Sequence, residues 1–169
     1  MAKKVADQLV DTLEKAGVRR IYAVTGDSLN EVNEAVRKNG RLRWIHVRHE
    51  ETGAYAAAAE AQLTGELACC AGSSGPGHVH LINGLYDAQR SGARVLAIAS
   101  TIPSREFGTE YFQETNTIKL FDDCSYYNQV ATTPEQFPRM LQGAMQAAIS
   151  SCGVGVIGLP GDLAAENAT

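Results

Sequence analysis

Cysteine is sparse in this chain of 169 residues, and its pattern is uninformative as a motif. Cys69, Cys70, Cys124 and Cys152 form no CxxC, and no histidine stands at ligand spacing from them, so neither a zinc site nor a disulfide framework is expected. Cys69 and Cys70 are adjacent, and on a strand their side chains would point to opposite faces. All four read as reduced structural thiols, and no metal ligands are assigned. Long runs of basic residues are also missing, and the formal charge of -4 gives no electrostatic footprint for nucleic acid or an anionic membrane. The opening "MAKKVADQLVDTLEKAGV" interrupts its apolar pattern with charges. It is neither a secretory signal nor a membrane span, and a cytoplasmic protein is expected. No GK[ST] follows any glycine loop, which excludes a Walker-type phosphate site. The one formal GxGxxG, Gly153, Gly155 and Gly158 in "GVGVIG", reads as a strand in itself, whereas a dinucleotide loop must connect a strand to a helix. There is no internal repeat, low-complexity tract or linker.

What the chain does contain is alternation. With 44% hydrophobic and 20% charged residues it can fill one core, and it is too short for two comfortable domains. Val5, Leu9 and Leu13 share a helical face, Gly17 offers a left-handed stop, and "RIYAV" follows as a strand. "SLNEVNEAVRKNG" reads as a helix, "RWIHV" as a strand, residues 50–64 as a helix ending at Gly65, and "LACCA" as a strand. "HVHLINGLYDAQRS" reads as a helix, and "RVLAIAS" and "YYNQV" as strands. A helix is expected over residues 134–151, opening after Pro134, before the buried strand "VGVIGL". The last residues, "LPGDLAAENAT", read as polar material after a strand. Strands apolar on both faces and separated by crossover-length helices imply a mostly parallel sheet of about six strands covered on both sides. The fold class is α/β, a three-layer sandwich. The longest irregular piece runs from about Thr101 to Thr115 and carries Tyr111 and Phe112; loops of this length are usually functional or disordered.

Three glycine-bearing loops follow strands: "VTGDSLN", "GSSGPGH" and the 101–115 segment. In parallel sheets such loops line the carboxyl edge, where ligands bind. In "GSSGPGHVHLINGLYDA", Gly75, Pro76 and Gly77 draw the backbone into a tight approach, and His80, Asn83 and Asp87 form a polar stripe at helical spacing; such stripes usually face water. "RHEETGAYAAAAEA" sets two glutamates at the mouth of an alanine helix. Glu50 shares its face with Ala54, Ala57, Ala58 and Ala61, whereas Glu51 shares one with Tyr55 and Gln62. Glu50 is therefore the better candidate for burial, and a buried carboxylate needs a specific recipient. The plainer role, a first-turn carboxylate on the helix dipole, suits Glu51 at least as well.

Taken in order, "VTGDSLN", "RHEETGAYAAAAEAQLTGELA", "GSSGPGHVHLINGLYDA", "VLAIAS", "YFQET" and "VGVIGLPGD" resemble the thiamine-diphosphate-dependent enzymes, in the pyruvate oxidase and pyruvate:quinone dehydrogenase branch. The resemblance covers essentially the whole chain, but only with the amino-terminal pyrimidine-binding domain of that family. It implies that Glu50 hydrogen-bonds N1' of the cofactor's aminopyrimidine. That contact favours the imino tautomer, which removes the thiazolium C2 proton so that the ylid can attack the ketone of a 2-oxo acid. For this the carboxyl must share or hold a proton near neutrality, which an apolar pocket favours. The resemblance also implies His80 as the active-site histidine, Phe112 and Gln113 at the substrate end of the cofactor, and Thr25, Ser73 and Asn83 near the pyrimidine. Ala23 and Thr25 stand where many relatives have glycine and proline.

In that family Mg²⁺ holds the diphosphate through a GDG motif on a separate domain, and FAD sits on a middle domain. No GDG occurs in these residues. Residues 1–169 are thus expected to form a single pyrimidine-binding domain without the flavin- and diphosphate-binding domains, inactive alone. The resemblance implies pyruvate as substrate, the diphosphate domain of another subunit as partner, and a homo-oligomer, dimer or tetramer. Two other readings stand beside it. An acetolactate-synthase-like carboligase uses the same glutamate and a similar "FQE" segment, although His80 favours the oxidase branch. A non-catalytic binding or assembly module would keep the motifs only as scaffold.

Overall fold

The computed structural model describes residues 2–169. Five longer helices and three single-turn helices surround six strands, in the order α1 (Val5–Lys15), β1 (Arg20–Ala23), α2 (Asn30–Asn39), β2 (Arg43–His46), α3 (Glu50–Thr64), β3 (Ala68–Gly72), α4 (Pro76–Val79), α5 (Ile82–Ser91), β4 (Val95–Thr101), α6 (Thr117–Leu120), β5 (Tyr127–Val130), α7 (Phe137–Ser151), β6 (Val154–Pro160) and α8 (Gly161–Ala165). The strands form one sheet in the order β2-β1-β3-β4-β6-β5, and every neighbouring pair is parallel. The chain is an α/β three-layer sandwich, as the alternation predicts.

The strands carry apolar residues on both faces because both faces are covered. Ile21, Cys69, Leu96, Ile98 and Ile157 pack under α1, α2 and α7 with Leu9, Val32, Phe137 and Leu141. The alternate residues Cys70, Val95, Ala97 and Val156 pack under α3 and α5 with Ala54, Ala57, Leu85 and Phe121. The two adjacent cysteines accordingly belong to opposite layers, and no cysteine is in a disulfide. Burial pushes the Cys70 thiol up to about 12 and that of Cys124 to about 11, so neither supplies a thiolate near neutrality.

Several boundaries differ from expectation. The segment read as one helix from His78 is two, because Leu81 N–H reaches back only to the His78 carbonyl at 3.2 Å, a tighter turn that separates α4 from α5 at residues 80–81. Helix α7 begins at Phe137 rather than after Pro134. The Thr133 hydroxyl and carbonyl accept from Gln136 N–H (3.4 Å) and Phe137 N–H (3.3 Å), and this turn satisfies the first free donors before the helix starts. A 3-10 turn at Asp27–Leu29 precedes α2. The closing segment, expected to be plain polar tail, forms α8 and then a bridge between Lys4 and Asn167. No described helix is long and apolar enough to cross a membrane.

Strand order decides where a site can form. From β1 the chain steps to β2 on one side, then to β3 on the other, so the loops after β1 and β3 diverge at the carboxyl edge and leave a crevice between them. Helix α3 starts at that same edge, directly after β2.

Candidate active site

Glu50 opens α3 in the first turn, and its residue is only 8% exposed. The alanine face explains this: Ala54, Ala57, Ala58 and Ala61 are buried, and the Cβ position of Gly53 lies 3.2 Å from the carbonyl oxygen of Tyr22, so α3 lies close against β1. The side chain of Glu51, one residue on, is 37% exposed.

Glu50 meets the loop after β3. His80 Nδ1–H donates to Glu50 Oε2 at 3.0 Å. The Cβ position of Gly77 lies 3.3 Å from Glu50 Oε1 and 3.1 Å from Ser73 Cβ, so a side chain there would press on both the carboxyl and Ser73. Ser73 in turn shares a hydrogen bond of 2.9 Å with the hydroxyl of Ser28, which also accepts from Ser74 N–H at 2.9 Å. Ser28 lies in the turn after β1, so the two loops flanking the crevice are tied together. Gly26 belongs to the same seam, since a Cβ there would collide with the Ser73 hydroxyl.

The long loop after β4 closes on the other side. Gln113 accepts from the Ser74 hydroxyl at 3.1 Å, and a Cβ on Gly75 would lie 2.7 Å from that of Gln113. Gly75 has φ +66° and Gln113 φ +67°, a left-handed pair that permits the approach. The loop is held away from its tip as well. Ser104 N–H and hydroxyl donate to Asp162, the hydroxyl at 2.7 Å, and Glu114 accepts from the N–H groups of Gly108 and Tyr111.

Among the seven residues singled out from the sequence, the structure brings Glu50, His80 and Ser73 together, with Gln113 joined to them through the 73–77 loop. Thr25, Asn83 and Phe112 are exposed and make no side-chain hydrogen bond to this group among the described residues. Phe112, 80% exposed, projects from the loop tip. Two histidines escaped the sequence reading. His49 caps α3 by accepting from Glu51 N–H through Nδ1 at 3.3 Å, and its ring stacks on that of His80 with centroids 4.3 Å apart. Its place beside Glu50 in "RHEE" was the available signal. His78 is 1% exposed. Its Nδ1–H donates to the Ser100 carbonyl at 2.8 Å, which leaves Nε2 to accept from the Thr115 hydroxyl at 2.5 Å. Burial holds His78 below the ordinary histidine range against the opposing effect of the Ser100 contact. A neutral ring with both nitrogens engaged braces the 73–80 loop against β4 and the long loop.

The arrangement is a carboxyl group with one oxygen bound by an imidazole and the other over a glycine, at the carboxyl edge of a parallel sheet. Such a group can accept or share a proton with a ring nitrogen presented from outside. Residues 3–120 match the family of the thiamine pyrophosphate enzyme, N-terminal TPP binding domain. This chain belongs to that family. Relatives extend the match over nearly all of the chain. It is 56% identical over 95% of its length to an uncharacterized 42.6 kDa protein encoded in the isoamylase 3' region of Pseudomonas amyloderamosa. It is 38% identical over 92% to the pyruvate oxidase of Lactiplantibacillus plantarum, and 33% identical over 88% to a chloroplastic acetolactate synthase of Brassica napus. The chain spans 41%, 26% and 23% of these three proteins respectively.

Proposed function

We propose that residues 1–169 form the single domain that receives the pyrimidine of thiamine diphosphate in a pyruvate oxidase or pyruvate:quinone dehydrogenase, an enzyme that decarboxylates a 2-oxo acid. The observation that carries this reading is the Glu50 carboxyl, buried at the switch-point crevice with Oε2 bound by His80. Gly77, Gly26 and Gly75 let the loops close on one another around this carboxyl, and a carboxyl so placed suits a ring nitrogen of a flat heteroaromatic group. When bound, the cofactor supplies a carbon acid whose conjugate base adds to a ketone. Glu50 would share a proton with N1' of the pyrimidine, and His80 would hold the carboxyl in place through Oε2. Ser73, Thr25 and Asn83 would border the ring, with Gln113 and Phe112 toward the substrate.

A cleft of about 720 Å³ is lined by residues such as Phe107, Tyr111, Thr117 and Val130 and includes neither Glu50 nor His80. Glu50 lies outside that cleft, buried beside the half-exposed His80, which suits a site closed by the diphosphate domain of a partner subunit in a homo-oligomer. In this reading Mg²⁺ and FAD are held by other parts of the enzyme, and the isolated chain binds cofactor weakly without turning over pyruvate. The acetolactate synthase relative keeps a carboligase as the second reading. The greater identity to pyruvate oxidase and the His80–Glu50 contact favour the oxidase.

Hydrogen–deuterium exchange at C2 of the bound cofactor, in the enzyme that carries this chain, tests the assignment. Glu50→Gln should slow exchange by about 10² to 10⁴, the usual contribution of a general acid or base, and Glu51→Gln should change it little. Unchanged exchange in Glu50→Gln, or a larger defect in Glu51→Gln, would reject the assignment. Anaerobic pyruvate should reduce the flavin if the enzyme is an oxidase; acetolactate formed without flavin reduction would select the carboligase.

A further inference from the structure

His49, Glu50 and His80 offer two imidazoles and one carboxylate, with one ligand atom of each lying within 4.8 Å of the others. We propose that these residues form a binding site for a divalent transition-metal ion of the Zn²⁺ class. Two nitrogens and one carboxylate oxygen, with a coordination position left to solvent, make up the His₂Glu donor set of open zinc sites. Mg²⁺ and Ca²⁺ prefer all-oxygen shells and are disfavoured here.

The spacing is close to what such an ion requires. Zn–N and Zn–O bonds of about 2.0–2.2 Å place neighbouring ligand atoms of a tetrahedral ion about 3.3 Å apart. His80 Nδ1 and Glu50 Oε2 are already 3.0 Å apart, so the ion takes the place of the proton between them. His49 must tilt out of its stack, with the rings now at 25°. Its side chain is 49% exposed and that of His80 41%, so surrounding packing does not prevent the movement. With Nε2 of His49 as ligand, Nδ1 carries the proton and gives up the Glu51 N–H contact of 3.3 Å that caps α3, and Glu51 Oε2 at 3.9 Å is the carboxylate placed to receive the new donor. This is the outer-shell arrangement that orients metal-bound histidines. The positive end of the α3 dipole opposes a cation only weakly at a partly exposed site, too little to outweigh three ligand bonds. The binding itself does not depend on the function proposed above. Its consequence rests on that reading: an ion held by Glu50 removes the carboxylate from its role, so the site is inhibitory.

The test is calorimetric titration of the untagged 169-residue chain with Zn²⁺, and visible spectroscopy with Co²⁺, in a Cys152→Ser background that removes the exposed thiol. One equivalent should bind in the presence of excess Mg²⁺, with Co²⁺ bands of a low-coordinate ion. His49→Ala and His80→Ala should each weaken binding by at least about tenfold, the lower limit seen even for outer-shell changes, with Glu51→Gln losing less. Affinity unaffected by both histidine variants, or no saturable binding, would overturn the site. In the enzyme that carries this chain, Zn²⁺ should inhibit turnover reversibly on chelation. Zinc bound at these residues without inhibition would overturn the role given to Glu50 instead.

Discussion

Two histidines two positions apart in "GPGHVH" have opposite surroundings. His80 is half exposed on Glu50, while His78 is enclosed between Ser100 and Thr115. Burial depresses the His78 pKa below its ordinary 6.5, so between those two values the unfolded chain binds more protons than the folded one. Stability from the neutral ring is therefore fully present above about pH 6.5 and is lost as pH falls through the folded value. Urea unfolding measured from pH 8 downward should show this decline in the wild type and a flatter profile in His78→Gln. At pH 8 the variant should be less stable by about 1–3 kcal/mol, the cost of buried polar groups left without partners. An equal pH slope in both proteins would mean that other groups carry the dependence. The sequence could not separate the two histidines, because at two positions apart in a turn either can face inward.

Helix α3 is readable from residue pattern, down to the Gly65 stop, whose φ is +73°, whereas the pattern of α5 runs on without a break into α4. Glycine at C' relieves the strain of a left-handed residue, and this is local information. Why α3 is made of alanine is settled by its neighbours: it lies against β1 on one side and α5 on the other. A Cβ on Gly84 would stand 2.5 Å from Ala54 Cβ and 2.7 Å from Tyr55 N. Gly84→Ala gains helix propensity but must push the two helices apart. It should destabilise by about 1–3 kcal/mol, the range for overpacking, seen as a lower urea midpoint with an unchanged slope. A neutral or stabilising outcome would show that the helices separate freely. The single-turn α6 and α8 went unread because four or five residues carry too little periodicity to stand out.

Across the whole molecule, the covering of both sheet faces makes a prediction about reactivity. Cys69, Cys70 and Cys124 are buried and Cys152 is exposed, so a thiol reagent should label one cysteine rapidly in the native protein and all four after unfolding. Rapid native labelling of Cys70 would contradict the packing of α3 and α5 over β3. The strand and helix alternation, the parallel sheet and the burial of Glu50 rather than Glu51 were determined by the sequence alone, since each follows from side-chain spacing within one element. The meeting of residues 26–28, 49–50, 73–80 and 113 was decided only by the tertiary structure. It depends on β3 crossing to the far side of β1, which brings loops distant in sequence to one edge. The stacking of His49 on His80 follows from the same crossing, because no local pattern records which side chains two separate loops will share.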